Sequence, residues 1–140
     1  MELPHDPDFL TCGFVIRAGR KKIAVATDFH EADAMVEHLA DADFIFIKAN
    51  HDLDLLKKYW NHASTFHMSN PKTAQLLYQA RKSSRKPPQG IMLGHLSKQR
   101  NTGDLAMDAV RDRFREEGAD LDFKLEVAPR YEASEMIRLE

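Results

Sequence analysis

Apolar positions fall into short runs separated by polar turns, and the spacing inside the runs changes along the chain. Gly13-Phe14-Val15-Ile16-Arg17 reads as a strand, Ala18-Gly19-Arg20-Lys21 as a hairpin turn and Ile23-Ala24-Val25-Ala26 as a second strand. The second run is apolar throughout, which predicts cover on both faces. From Glu31 the period lengthens: Ala32, Met35, Val36, Leu39 and Ala40 form the single apolar stripe of a helix. Phe44-Ile45-Phe46-Ile47 is another buried strand, and Asp52 is placed to cap a short helix carrying Leu53, Leu55, Leu56 and Tyr59. A loop through Trp60, His62 and His67 leads to Ser69-Asn70-Pro71, a strong helix start. A small polar side chain there satisfies free amides, and proline fits the first turn. That helix is predicted to run to about Arg81, burying Ala74, Leu77 and Ala80.

The paired prolines Pro87-Pro88 make residues 83–88 a loop. Ile91-Met92-Leu93 is a further strand. Asn101 or Thr102 caps a long helix with Leu105, Ala109, Val110 and Phe114 inward and Gly118 at its stop. Leu121–Val127 and Ser134–Leu139 alternate as two last strands. Strands and helices alternate, so the expected class is α/β, in one domain over residues 1–140. Glu2 to Phe9, with two prolines, reads as an extended lead-in.

The chain's 20 Lys+Arg and 22 Asp+Glu nearly cancel at −2, which excludes binding to nucleic acid by bulk positive charge but leaves a local basic patch open. The single cysteine, Cys12, cannot form an internal disulfide, which suits a reducing compartment. No apolar run approaches the ~20 residues of a membrane helix, and the N-terminus lacks the basic start and apolar stretch of a signal peptide. The expectation is a soluble, cytoplasmic chain without membrane association.

Three apolar strands end in polar clusters: Asp28, then Asn50-His51-Asp52, then His95. Ligand sites in α/β sheets collect at the carboxyl ends of strands. His67, before a helix start, and His5, before the first strand, are placed to join them. Imidazole and carboxylate suit Zn²⁺ and related divalent ions. The plain alternatives are solvated loop histidines, and helix caps for Asp28 and Asp52. Asp52 reads first as a cap. His95 stands apart, because Gly94 before it allows close approach and Ser97 follows in a tight polar turn. His38 and His62 receive no role, and His30 reads as part of a helix start. Arg81, Lys82, Arg85 and Lys86 read first as helix-end and solvated charges and second as phosphate contacts. For Lys98 and Arg100, next to His95, the two readings stand level. Neither a GxSxG elbow nor a glycine-rich phosphate loop occurs.

Taken in order, Leu3-Pro4-His5-Asp6, Gly13-Phe14-Val15-Ile16, Ala26-Thr27-Asp28, Ala49-Asn50-His51-Asp52-Leu53, His67-Met68-Ser69-Asn70 and Leu93-Gly94-His95-Leu96-Ser97 resemble a metallo-β-lactamase-fold hydrolase. The nearest likeness is to the branch of YycJ-type exonucleases, related to ribonuclease Z and to phosphodiesterases. The resemblance implies half of an αββα sandwich, one mixed sheet with helices packed on it. It implies His5, Asp28 and His95 as metal ligands, with Asp28 bridging two ions, and Zn²⁺ as the metal with Mn²⁺ as its alternative. It implies His67 as proton donor to a leaving oxygen and His51 as a supporting catalytic group, with Ser69, Asn70 and Ser97 at the substrate.

The family's HxHxDH signature does not occur in the 140 residues, so the resemblance points to a C-terminal half with an incomplete metal site. Phe29-His30 stands where the branch often has Thr-Gly, and Lys48 where an acid is common. Two functions follow as expectations. One is a metal-dependent hydrolase of phosphodiesters or nucleic acid. The other is a non-catalytic α/β module that forms a homodimer or complements a partner chain carrying the HxHxDH half.

Overall fold

The computed structural model describes residues 2–3, 11–27 and 32–140, so His5, Asp28 and His30 lie outside the described residues. Two short strands, β1 (Glu2–Leu3) and β2 (Thr11–Cys12), pair antiparallel. The main sheet follows the chain in the order β3 (Phe14–Ala18), β4 (Lys21–Ala26), β5 (Phe44–Lys48), β6 (Gly90–Gly94) and β7 (Lys124–Val127). The β3–β4 hairpin turns at Gly19, whose φ of +60° is a conformation open to glycine at little cost. From β4 to β7 every pair is parallel.

Because parallel crossovers are right-handed and this sheet advances in one direction, its crossover helices must land on one face. They are α1 (Val36–Leu39), entered through a 3-10 turn at Asp33–Met35, then α3 (Asn70–Ser83) and α4 (Gly103–Glu116). Ala24, Ile45, Ile91 and Leu125 lie side by side in register, and Ala26, Ile47 and Leu93 form the next row. These rows pack against Met35, Leu39, Leu76, Leu77, Ala106, Val110 and Phe114 from the helices. Among the described residues this interface between sheet and helices is the core. A six-residue helix, α2 (Leu53–Lys58), and a 3-10 turn at His62–Phe66 fill the connection between β5 and α3.

Among the described residues the other face is only partly covered, which corrects the expectation that β4 is covered on both sides. Burial along β4 alternates, with Ala24 and Ala26 fully buried and Ile23 and Val25 only partly so. Phe44 and Phe46 are likewise half-covered, and on β3 Phe14 and Ile16 remain 61% and 51% exposed. All the crossover helices sit on the opposite side, so among the described residues no helical layer packs on these apolar side chains. Ala128, Pro129, Ser134 and Ile137 border a depression over Val25, Phe44, Phe46 and Met92, giving partial cover.

Three further expectations are corrected. Ser134–Leu139 forms no strand; alternation alone supplied no neighbour to pair with, and the segment is tied at its end by Gln89 and Glu140. Leu105 is exposed, since the buried stripe of α4 is Ala106, Val110 and Phe114, about 100° further round the helix. The helix expected from Glu31 is shortened to Asp33–Leu39 among the described residues.

The basic run 81–86 belongs to the amino edge of the sheet. Arg81 pairs with Asp122 at 2.6 Å, Arg85 with Asp41 at 3.0 Å and Lys86 with the buried Asp43 at 2.7 Å. The Lys86 hydrogen bond is the largest influence holding the Asp43 carboxyl below its ordinary range, against the opposing effect of burial. Loop 83–89 therefore serves as a clamp at the end of β6 remote from His95. No helix among the described residues is long and apolar enough to cross a membrane.

Candidate functional site

At the carboxyl edge, the loops that follow β5 and β6 and the loop that leads into α3 are bonded to one another through their backbones. The loop after β5 lies in the middle. Asn50 N donates to Met68 O at 2.9 Å and Asn70 N to His51 O at 2.8 Å, which joins it to the loop before α3. Ser97 N donates to Asn50 O at 2.8 Å and Asp52 N to Arg100 O at 2.8 Å, which joins it to the loop after β6. His51 and Ser69 also form an isolated parallel bridge. His51, His67 and His95, far apart in sequence, are thus carried on one connected edge.

A buried amide pair locks the arrangement. Asn70 and Asn101 are 2% and 4% exposed, and each donates its amide to the other's oxygen at 2.8 Å. Asn101 Nδ2 also donates to Ala49 O at 2.8 Å, and its Oδ1 accepts from Thr102 N at 2.9 Å. The helices leaving this edge begin with ordinary caps. Asp52 accepts from Leu55 N, Ser69 from Lys72 N and Thr102 from Leu105 N.

The candidate residues differ in setting. His51 is 3% exposed, and its Nδ1 lies 3.1 Å from Asn50 Oδ1, an acceptor, which leaves the ring proton on Nδ1 and a lone pair on Nε2. Burial holds this imidazole below its ordinary range. Lys72, Lys48 and Arg100 push the same way, and among the described residues Asp52 opposes. His51 is accordingly neutral at neutral pH. His67 is half-buried, with Lys48 Nζ against its Nδ1.

His95 is exposed, with a φ of 54°, a left-handed conformation uncommon outside glycine. Its ring meets Phe46 edge-on at 6.2 Å. The preceding Gly94 has no room for a side chain, since a Cβ there would come within 2.2 Å of Phe46 Cζ. Ser69 is buried as the α3 cap and Asn70 is held by Asn101, so both side chains belong to the scaffold. Ser97 is partly exposed, and its hydroxyl accepts from Arg100 N at 3.1 Å.

Among the described residues, no three His, Cys, Asp or Glu side chains converge on a point that could hold a metal ion. The Nδ1 of His67 faces an ammonium, a poor neighbour for a second cation. His51, His67 and His95 therefore do not form a metal centre by themselves. The sequence marks Lys48 only as standing where an acid is common; its setting is new. The lysine closes β5 and is 2% exposed.

No family model matches the chain, and no curated protein does. Solved structures do. The metallo-beta-lactamase fold protein YhfI from Bacillus subtilis aligns at a TM-score of 0.67 with 15% identity, over 91% of this chain and 44% of that one. A diphosphatase of the PhnP family aligns at a TM-score of 0.44 with 13% identity, over 83% of this chain and 39% of that one. The chain spans less than half the length of either. The first alignment, together with the mixed five-stranded sheet and its one-sided helices, identifies the fold.

Proposed function

We propose that this chain, one layer of the metallo-β-lactamase fold, forms the carboxyl-edge half of a metal-dependent hydrolase acting on phosphodiesters, nucleic acid among them. The observation that carries the reading is the connected edge bearing His51, His67 and His95. Its surroundings suit an anion, because among the described residues Lys48, Lys72 and Arg100 act on His51 against Asp52. Lys98 and Arg100 lie on the His95 loop, on the same edge, whereas the 81–86 run is engaged at the other. Within this reading Ser97 is the polar side chain nearest a substrate.

Metal ligation rests on His95 together with His5 and Asp28, with Zn²⁺ as the ion and Mn²⁺ as its alternative. His67, held by Lys48, serves as a hydrogen donor to a substrate oxygen. In the dialysed wild-type chain, elemental analysis is expected to find bound divalent metal, and His95→Ala is expected to remove most of it. Equal metal content in the two proteins contradicts the assignment. Hydrolysis of an activated phosphodiester by the 140 residues alone is expected to be weak.

A second reading is favoured by the partly covered face. Phe14, Ile16, Ile23, Val25, Phe44 and Phe46 present an apolar surface on the side of the sheet opposite the helices. Contiguous apolar surface of this kind marks association. We propose that another β layer covers it, supplied by a second copy of the chain or by a partner carrying the complementary half of the fold.

A further inference from the structure

We propose that Lys48 is a positioning residue that fixes the His67 imidazole as the tautomer with its proton on Nε2. The inference rests on the reading that His67 serves a bound phosphate group, and it deepens that reading by saying which nitrogen does so. Lys48 ends β5 in register with Gly94, and its carbonyl accepts from Thr73 Oγ1 at 2.7 Å. His67 is held in turn by its own amide, which donates to Ser64 O at 3.1 Å, and by the neighbouring Met68 carbonyl, which accepts from Asn50 N. With both backbones fixed, Lys48 Nζ meets His67 Nδ1 from the buried side, and the imidazole itself stays half-exposed.

An ammonium has only hydrogens to offer, so Nδ1 must accept. The single ring proton then sits on Nε2, the nitrogen turned away from Lys48. A carboxylate at position 48 would do the reverse. It would accept from Nδ1–H and leave Nε2 with a lone pair, suited to a base or a metal ligand. Residue 48 thus chooses between a donor and an acceptor at the outer nitrogen. The lysine found here makes His67 a hydrogen donor toward a phosphate oxygen and withholds it from metal ligation.

Imidazole ¹⁵N spectra of the full chain, with the His67 signal assigned by His67→Gln, test this without reference to activity. The wild type is expected to show Nε2–H as the single His67 tautomer, kept in Lys48→Arg and reversed to Nδ1–H in Lys48→Glu. Wild-type Nδ1–H, or a Lys48→Glu spectrum equal to the wild type's, overturns the proposal, and the wild-type spectrum alone suffices should a variant not fold. Metal-free titration with inorganic phosphate separates the two levels. His67→Ala is expected to weaken binding about tenfold, the loss of roughly one charge-assisted hydrogen bond. Tautomers that change as expected while phosphate fails to bind any of the proteins uphold the role of Lys48 and end the phosphate reading.

Discussion

Asn101→Ala is expected to lower the free energy of unfolding by about 3–5 kcal/mol, a large share of the ~5–15 kcal/mol typical of a domain. The side chain is 4% exposed and makes four hydrogen bonds, to Ala49 O, to both polar atoms of the Asn70 amide and from Thr102 N. Truncation leaves the Ala49 carbonyl and the Asn70 amide buried without these partners, and an unsatisfied buried polar group costs about 1–3 kcal/mol. It also removes the side-chain tie from Asn101 to the Ala49 carbonyl, between the loops after β5 and β6, so its effect reaches the histidine-bearing edge.

Urea unfolding of Asn101→Ala, Asn70→Ala and the double variant checks the account. The double variant is expected to be much less destabilised than the sum of the singles, because either change breaks the same pair. Additive effects, or a single-variant cost under about 1 kcal/mol, would show that the amide pair is not what ties the loops together.

Light scattering on the wild-type chain is expected to give a mass of at least twice 16.0 kDa, and Phe14→Ser with Ile16→Ser is expected to return it to 16.0 kDa. Both residues lie on β3, at the edge of the sheet, with 61% and 51% of their surface exposed. Neither belongs to the core cluster beneath the helices, so the double change removes apolar surface without opening a cavity there. Burying a Phe or an Ile side chain contributes roughly 1.5–3 kcal/mol each, enough for two such residues per copy to govern association. A monomeric wild type contradicts both the homodimer and any reading that needs this face covered by self-association. A monomer that gains mass only with an added partner chain leaves the complementary-half form standing.

The strands β3 to β6 and the helices α3 and α4 were legible because local pattern and tertiary environment agree there. Short apolar runs became strands, and Ser69-Asn70-Pro71 and Thr102 carried their helix starts in the sequence itself. What was hidden depends on distant partners. Asn101 was one of two candidate caps, but Thr102 takes that role while Asn101 turns inward to Asn70, 31 residues away. Alternation at Ser134–Leu139 described a strand without saying what it would pair with. The apolar run of β4 could not reveal that one of its faces would be only partly covered within the described residues.

The position of the site was likewise readable, since histidines after β5 and β6 must emerge at the carboxyl edge of a parallel sheet. Its inner structure was not. The burial of Lys48, its contact with His67 and the left-handed backbone of His95 arise only when the three loops close on one another. The expected ligands His5 and Asp28 lie outside the described residues.

Amide chemical-shift mapping of the ¹⁵N-labelled chain with inorganic phosphate locates the ligand seat by residue. The expected result is a set of perturbed signals confined to residues 49–52, 67–70 and 95–101. Perturbation at residues 81–86 on the opposite edge, or no perturbation at any phosphate concentration, would contradict the assignment of the connected histidine edge as the place where this chain meets its substrate.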